Sequence, residues 1–260
     1  MIYLYTALGA VGFLCVTALF VWFNNSALKV TRVKRRIEGA PGLKIVHLSD
    51  LHGKRFGRKS VRLIETVARQ APDFIAVSGD IIHIYTQKNI CVAAEVVSAL
   101  KEISPVLYVA GNHEMRNKGY RNLRKILIEA GATVLDDRSA EVCGITVTGL
   151  NGASLRNDTI EKITPVVSPK ILLAHEPQFF EKYINAGYDL ILCGHAHGGQ
   201  WRIPFTGIGL YAPGQGKFPK YTSGVHEKDG GAMVVSRGLG NSKFPLRLFN
   251  RPEIIVIEIN

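Results

Sequence analysis

Leu43-Lys44-Ile45-Val46-His47-Leu48-Ser49-Asp50-Leu51-His52 decides how the rest of the chain is read. A short apolar run of strand character ends on a carboxylate and then an imidazole. The same figure returns further on. Phe74 to Val77 runs into Ser78-Gly79-Asp80, and Val106 to Ala110 runs into Gly111-Asn112-His113-Glu114. Lys170 to Ala174 leads to His175, and Leu190 to Cys193 leads to Gly194-His195-Ala196-His197. In α/β proteins ligands gather just beyond the carboxyl ends of strands, so these residues should converge at one edge of the molecule. Two Asp, one Asn and five His form a donor set for divalent metals such as Mn, Fe, Zn or Ni. An Asp between two such ions can bridge them, and a bridged pair can clamp a phosphoryl group. Singly, each motif has an ordinary reading: Gly-Asp makes turns, and a lone His fits a core. Together, in order after five strands, they point to a two-metal site.

The intervening segments give the architecture. Arg58 to Gln70 has helical periodicity, with Val61, Ile64, Val67 and Ala68 on one face. Asn89 to Ile103 and Tyr120 to Ala130 read as further helices, stopped by Pro105 and Gly131. Thr133 to Leu135, Glu141 to Leu150, Ala232 to Ser236 and Ile254 to Ile259 read as additional strands. Asp158 to Ile163 and Gln178 to Ala186 read as short helices, and residues 198–231, rich in Gly, Pro and aromatics, as a long surface loop. A β-α-β-α-β half followed by a strand-rich half predicts an α/β protein of two packed sheets with helices outside.

The region before Leu43 has a different character. Ile2 to Phe23 carries no charged side chain and, as a helix, spans roughly 30 Å, the thickness of a bilayer core. Trp22 and Phe23 sit where an aromatic belt would lie. Lys29, Arg32, Lys34, Arg35 and Arg36 follow, so the positive-inside rule predicts a cytoplasmic catalytic domain. A signal for export is the alternative, disfavoured by the missing charged n-region and the absence of a clear A-x-A site. The expected division is residues 1–24 as a transmembrane anchor, 25–42 as a basic linker and 43–260 as the catalytic domain. About 220 residues suffice for one domain with a full core.

The 260-residue chain has 32 basic and 21 acidic residues, a formal charge of +11. The basic residues are scattered and no nucleic-acid motif accompanies them, so no nucleic-acid partner is expected. Membrane surfaces and phosphate substrates are the alternative outlets for the charge. Cys15, Cys91, Cys143 and Cys193 form no C-x-x-C pair and no disulfide framework.

The motif series resembles that of the calcineurin-like metallophosphoesterase superfamily: D-x-H, G-D, G-N-H-(D/E), H and G-H-x-H, each present without substitution. Gly198-Gly199-Gln200, Ser236-Arg237-Gly238-Leu239-Gly240 and the stretch Arg247 to Glu253 resemble a bacterial subgroup of small phosphodiesterase-like proteins, often with an N-terminal signal or anchor. The resemblance implies two mixed β-sheets flanked by helices in an αββα sandwich. It implies two divalent metal ions, one held by Asp50, His52 and His197 and the other by Asn112, His175 and His195, with Asp80 bridging. A hydroxide between the ions would attack phosphorus in line, His113 would protonate the leaving oxygen or stabilise the transition state, and Glu114 would orient the His113 ring. Arg237 and Asn241, and similarly Asn151 and Arg156, are candidates for binding phosphate oxygens. Trp201, Phe205, Tyr211, Phe218 and Tyr221 wall the substrate cleft or anchor the loop. The expected activity is hydrolysis of a phosphodiester or pyrophosphate bond in a substrate in or near the membrane. A nucleotide-linked lipid pyrophosphatase resembling the UDP-2,3-diacylglucosamine enzymes is one alternative. A non-catalytic metal-binding scaffold is another, and a nuclease, supported only by charge, a third.

Overall fold

In the computed structural model the chain opens on helix α1 (Ile2–Ser26) and passes almost at once into strand β1 (Lys29–Arg35). There follow β2 (Leu43–Leu48), α2 (Val61–Ala68), β3 (Phe74–Ser78), α3 (Gln87–Lys101), β4 (Val106–Val109), α4 (Asn112–Met115), α5 (Tyr120–Glu129) and β5 (Ala132–Val134). The second half carries β6 (Arg138–Val142), β7 (Ile145–Gly149), α6 (Thr159–Ile163), β8 (Lys170–Leu173), α7 (Phe180–Asn185) and β9 (Leu190–Cys193). Short β10 (Tyr211–Ala212) and β11 (Gly216–Lys217) precede β12 (Gly224–Lys228), β13 (Gly231–Val235) and β14 (Glu253–Ile259). The structure describes residues 1–151, 159–165, 167–241 and 244–260.

Two six-stranded mixed sheets form, ordered β1-β14-β2-β3-β4-β5 and β12-β13-β9-β8-β7-β6. The central strands run parallel, and antiparallel pairings occur at β14/β2, β12/β13 and β6/β7. Alternation along each strand explains the layers, because successive side chains point to opposite faces. Ile45, Phe74, Ala76, Leu107 and Val109 face inward and meet Val147, Ile171, Leu173 and Leu192 of the other sheet. Their neighbours Val46, Leu48, Ile75, Val77 and Val106 face outward into a core closed by Leu63, Val96 and Leu127 of α2, α3 and α5. The outer face of the second sheet packs Leu172 and Ile191 against Phe180, Tyr183 and Ile184 of α7. Coverage on both faces is why the central strands read as unbroken apolar runs. The protein is a two-sheet sandwich flanked by helices, as the sequence predicts.

Several boundaries differ from expectation. The stretch read as one strand from Glu141 to Leu150 is the β6/β7 hairpin, turned at Cys143-Gly144, both in the left-handed region. Residues 198–231 are not wholly a loop: they include β10, β11 and the edge strand β12.

The largest difference concerns residues 25–42. Instead of a linker, they supply β1, paired in parallel with β14 from Lys29↔Glu253 to Arg35↔Ile259. Its cationic residues lie on an edge strand, where charge blocks further pairing, and Val30 and Val33 reach the two cores. The end of α1 is fastened too. Asn25 Oδ1 accepts from the Arg247 N–H at 2.9 Å, and its Nδ2 donates to the Arg247 carbonyl at 3.2 Å. Arg251 donates to the carbonyls of Ala27 and Leu28 at 3.0 and 2.6 Å, and Arg62 to that of Ser26 at 2.9 Å. The apolar helix is therefore braced against the sandwich.

A fragment of residues 43–260 should consequently fare worse than one of residues 27–260. It strips β14 of a seven-residue parallel ladder. At about 0.5–1.5 kcal/mol net per hydrogen bond the loss is several kcal/mol. For a domain of this size that lowers the melting temperature by at least about 6 °C. Equal melting of the two fragments would return residues 25–42 to the role of linker.

Candidate metal centre

Asp50, Asp80, Asn112, His175 and His195 each lie two or three residues beyond the carboxyl end of β2, β3, β4, β8 and β9. The parallel strands deliver them to one edge, as the rule for α/β sheets requires. The backbone then does something unusual. Asp50, His52, Asp80, His195 and His197 all have positive φ, between 47° and 66°. Such a conformation is uncommon outside glycine, although Asp and His tolerate it better than most residues. It costs about 1–2 kcal/mol per residue relative to the right-handed region. Strain of this kind collects at functional sites, where surrounding structure enforces it.

Neighbouring glycines let the loops close. A Cβ on Gly111 would run into the Asp80 carboxylate, and one on Gly194 into Ser49 Oγ and the Asp50 carboxylate. Asp50 is fixed by Ser49 Oγ, which donates at 2.5 Å, and by the His195 N–H at 3.0 Å.

The side chains meet as two adjoining groups. In the first, His52 Nε2 lies 3.1 Å from His197 Nε2, and His197 Nε2 lies 3.3 Å from Asp50 Oδ1. In the second, His175 Nε2 lies 3.2 Å from Asp80 Oδ2, from Asn112 Oδ1 and from His195 Nδ1. Asp80 Oδ2 also stands 3.8 Å from His52 Nε2, so this carboxylate reaches both groups. Burial holds His52 and His195 down to about 3, and His197 well below its ordinary value. Burial also pulls His175 down, but Asp80 and then Asp50 overcome it and raise His175 to about 10. Burial lifts Asp50 to about 6. Burial opposes ionisation of Asp80 too, and His175 outweighs it, holding that carboxyl well below the usual range.

This donor set fits divalent cations. Neutral imidazoles face one another and a carboxylate, and the buried His197 Nδ1 lacks a hydrogen-bond partner among the described residues. Imidazole, carboxylate and amide oxygen suit the transition divalents better than magnesium. Ligands must be deprotonated to bind, so loading near neutral pH should displace the His175 proton. Calorimetric titration of the stripped protein in two buffers of different ionisation enthalpy should register about one proton released per chain. No release would mean that His175 is already neutral.

Two expected roles change. Glu114 does not touch the His113 ring. Its carboxylate accepts the backbone N–H groups of Asp80, Gly111 and Ile82 at 2.8, 2.8 and 3.0 Å and is fully buried. It ties the loops after β3 and β4 together. Burial, then the Asp80 charge, lifts its carboxyl to about 7. The His113 ring is oriented by Nδ1, which meets the His83 carbonyl at 2.7 Å, leaving Nε2 3.9 Å from Asp80 Oδ2.

His83 itself was not foreseen: its Nδ1 lies 3.4 Å from His52 Nδ1, and its ring 4.8 Å from that of His113. Only its position three residues after Asp80 could have flagged it.

Arg237 and Asn241 are the second change. The loop after β13 presses Gly238 and Gly240 against Asp50 and Leu51, so these neighbours turn elsewhere. Arg237 faces Glu253 at 3.6 Å and lines a separate cavity at the foot of α1. Asn241 accepts from Arg247 Nε at 3.2 Å and donates to the Pro245 carbonyl at 2.5 Å. Asn151 donates to Asp137 at 2.6 Å, and Arg156 lies outside the described residues.

A cavity of about 490 Å³ opens over the cluster. Asp80, Asn112, His113, His195 and His197 lie in its wall, with Arg116, Gln200, Tyr211 and Phe244 beyond them. Of the other loop aromatics, Trp201 rests on Phe244 at 5.6 Å and Tyr221 packs on Phe180 at 5.6 Å. Phe218 is exposed, and Phe205 lies over the cavity at the foot of α1. Buried Cys193 has its thiol pushed well up by burial.

Convergent imidazoles and carboxylates at the strand ends of a two-sheet sandwich define a metal-dependent phosphoester hydrolase. The chain belongs to the calcineurin-like phosphoesterase family, whose pattern it matches over residues 43–199. It is 30% identical to the phosphodiesterase YaeI of Escherichia coli, covering 85% of this chain and 84% of that protein. It is 31% identical to the uncharacterised metallophosphoesterase YkuE of Bacillus subtilis, covering 85% and 80%. Among solved structures, the Haemophilus influenzae NAD nucleotidase aligns with a TM-score of 0.46 and 15% identity, covering 76% of this chain and 46% of that one.

Proposed function

We propose that the protein is a membrane-anchored phosphodiesterase with a dinuclear centre, cleaving a phosphodiester or pyrophosphate bond in a substrate at the membrane. The observation that carries this reading is the enforced convergence: five of the seven expected ligands hold left-handed backbone conformations in order to meet. Asp50, His52 and His197 would hold one ion and Asn112, His175 and His195 the other, with Asp80 within reach of both groups. Divalent ions in these positions supply Lewis-acid activation of water as the nucleophile and neutralise phosphoryl charge.

The chain's own groups do the rest. Arg116 in the cavity wall is a cation for a non-bridging phosphate oxygen. Tyr211 and Phe244 give the second ester substituent an apolar wall, which favours a diester over a small monoester. The phosphodiesterase name of the Escherichia coli relative supports the same choice. His113, with Nδ1 fixed on the His83 carbonyl, keeps Nε2 at the cavity to protonate the departing oxygen. Helix α1 is long and apolar enough to cross a membrane. The cations after it favour a cytoplasmic sandwich.

The test uses the full chain in neutral detergent, stripped by chelator and given Mn, Zn, Ni or Mg singly. Bis-(p-nitrophenyl) phosphate should be hydrolysed with a transition divalent, faster than p-nitrophenyl phosphate. Two bound ions per chain with neither substrate turned over would favour a narrow substrate such as a nucleotide-linked lipid, and faster monoester cleavage would remove the diester assignment.

A further inference from the structure

A second cavity, of about 570 Å³, lies at the junction between α1 and the sandwich. It is built differently from the metal cavity. Four cationic side chains line it: Lys29 of β1, Arg202, Arg237 and Arg251. Against them stands one buried acid, Glu253, already engaged by Thr31 Oγ1 at 2.6 Å and by the Arg237 N–H at 3.1 Å. The cluster therefore carries a local excess of about three positive charges. The cations feel one another: burial first, then Arg237, with Arg251 and Arg202, pulls the Lys29 ammonium below its usual value.

Two of the cations are pinned in place. Arg251 is held by the carbonyls of Ala27 and Leu28 and lies over the Phe23 ring at 4.6 Å. Arg202 donates to the Gly198 carbonyl at 2.8 Å. Arg237 turns its buried Nε toward Glu253 at 3.6 Å, beyond hydrogen-bond length, and so directs part of its charge to that acid. A cavity lined by four cations against one acid has room and charge for an anion.

The setting identifies the anion's carrier. Four aromatic rings stand in the rest of the wall, beside Asn24, Ile203 and Pro204: Phe20 and Phe23 from the last turns of α1, Phe249, and Phe205. Phe20 and Phe249 already stack edge to face at 5.1 Å. Phe205 stands at the tip of a turn closed by the Ile203 N–H on the Ile208 carbonyl at 2.9 Å. It is 109% exposed and has positive φ, a costly way to hold a large ring in water. Aromatic rings flanking a membrane helix belong at the headgroup level.

We infer that the cavity at the foot of α1 binds the headgroup of an anionic phospholipid, its phosphate among Lys29, Arg202, Arg237 and Arg251 and its glycerol and upper acyl chain along Phe20, Phe23 and Phe205. A zwitterionic headgroup would bring an ammonium, quaternary in choline and primary in ethanolamine, into a cationic pocket with no acid among its described lining residues. Phosphatidylglycerol, with no such cation, is the matching class. Occupancy would fix the tilt of the sandwich, and with it the direction in which the metal cavity faces the bilayer. The inference rests on the reading of α1 as a membrane anchor.

The test measures thermal unfolding of the full chain in neutral detergent micelles. Dihexanoyl-phosphatidylglycerol, dihexanoyl-phosphatidylcholine and inorganic phosphate are added at matched concentrations. Inorganic phosphate also meets the metal centre, so the informative quantity is the part of each rise that Lys29→Gln/Arg237→Gln removes. Phosphatidylglycerol should raise the melting temperature by about 2–4 °C near saturation, and the double variant should lose most of that rise. Should the double variant misfold, Lys29→Gln alone, at the half-buried start of an edge strand, serves in its place. Equal variant-sensitive rises with phosphatidylcholine or inorganic phosphate, or an undiminished rise in the variant, would overturn the lipid site. Extraction of membranes with alkaline carbonate tests the anchor separately. Release of the chain would remove the anchor reading and the site with it, whereas retention without lipid selectivity would remove the site alone.

Discussion

Asp80→Asn should lower turnover by at least about 10³-fold, some 4 kcal/mol of transition-state stabilisation, and should leave less than half the wild-type metal content. Among the described residues Asp80 is the carboxylate that reaches both groups: Oδ2 stands 3.2 Å from His175 Nε2 and 3.8 Å from His52 Nε2. An amide in its place has no charge and turns an N–H₂ toward imidazole nitrogens or the ions themselves. The variant should still fold. The Asp80 backbone N–H still reaches Glu114, and the His113 N–H that Asp80 Oδ1 accepts at 2.8 Å can be accepted by the amide oxygen of Asn. Metal analysis, turnover and a melting curve on one preparation separate the possibilities. Normal metal content with near-normal turnover would remove Asp80 from the centre. Lost turnover with a collapsed melting curve would mean that the carboxylate holds the fold.

Much of this was legible in the sequence because the chemistry and the folding rule coincide. β2, β3, β4, β8 and β9 are covered on both faces, so they appear as short apolar runs, and each ends where a ligand type stands. The edges were illegible for the opposite reason. β1 is a strand because β14 offers it a ladder, and its four Lys and Arg look like a solvated linker when that partner is unknown. β12, with Glu227 and Lys228, hides in the same way. Backbone conformation was also out of reach: nothing in Asp50-Leu51-His52 announces two left-handed residues, although Asp and His are among the types that accept them. Arg237 misled because a cation in a glycine-rich loop near a phosphoesterase centre invites a substrate role. The glycines bring the backbone to Asp50, and the guanidinium lies at Glu253 and the second cavity.

His113→Ala should keep both metals and lose turnover by about 10²–10⁴-fold on a substrate with an alkyl leaving group. The geometry separates His113 from the ligands. The side chains of His52, His175 and His197 are sealed, 0–3% exposed, whereas His113 stands open with its Nε2 3.9 Å from Asp80 Oδ2, about as far as His52 Nε2 at 3.8 Å. The His113 ring is aimed by the His83 carbonyl, and its side chain keeps 27% of its surface open to the cavity. A group that donates a proton matters in proportion to the basicity of the departing oxygen. With p-nitrophenolate, which leaves without a proton, the loss should shrink to about tenfold or less. That leaving-group dependence is the signature of a donor, and a ligand or a merely structural residue would not produce it. Glu114→Gln provides the contrast. Adjacent helical positions do not face one another, so Glu114 has no route to the His113 ring. Losing an ionised acceptor for three buried N–H groups should instead cost stability, about 1–3 kcal/mol for each poorly satisfied group. Equal losses on both leaving groups in His113→Ala would rule out proton donation, and departure of a metal from that variant would make His113 a ligand, shared with His52 and His83 as their mutual approach allows.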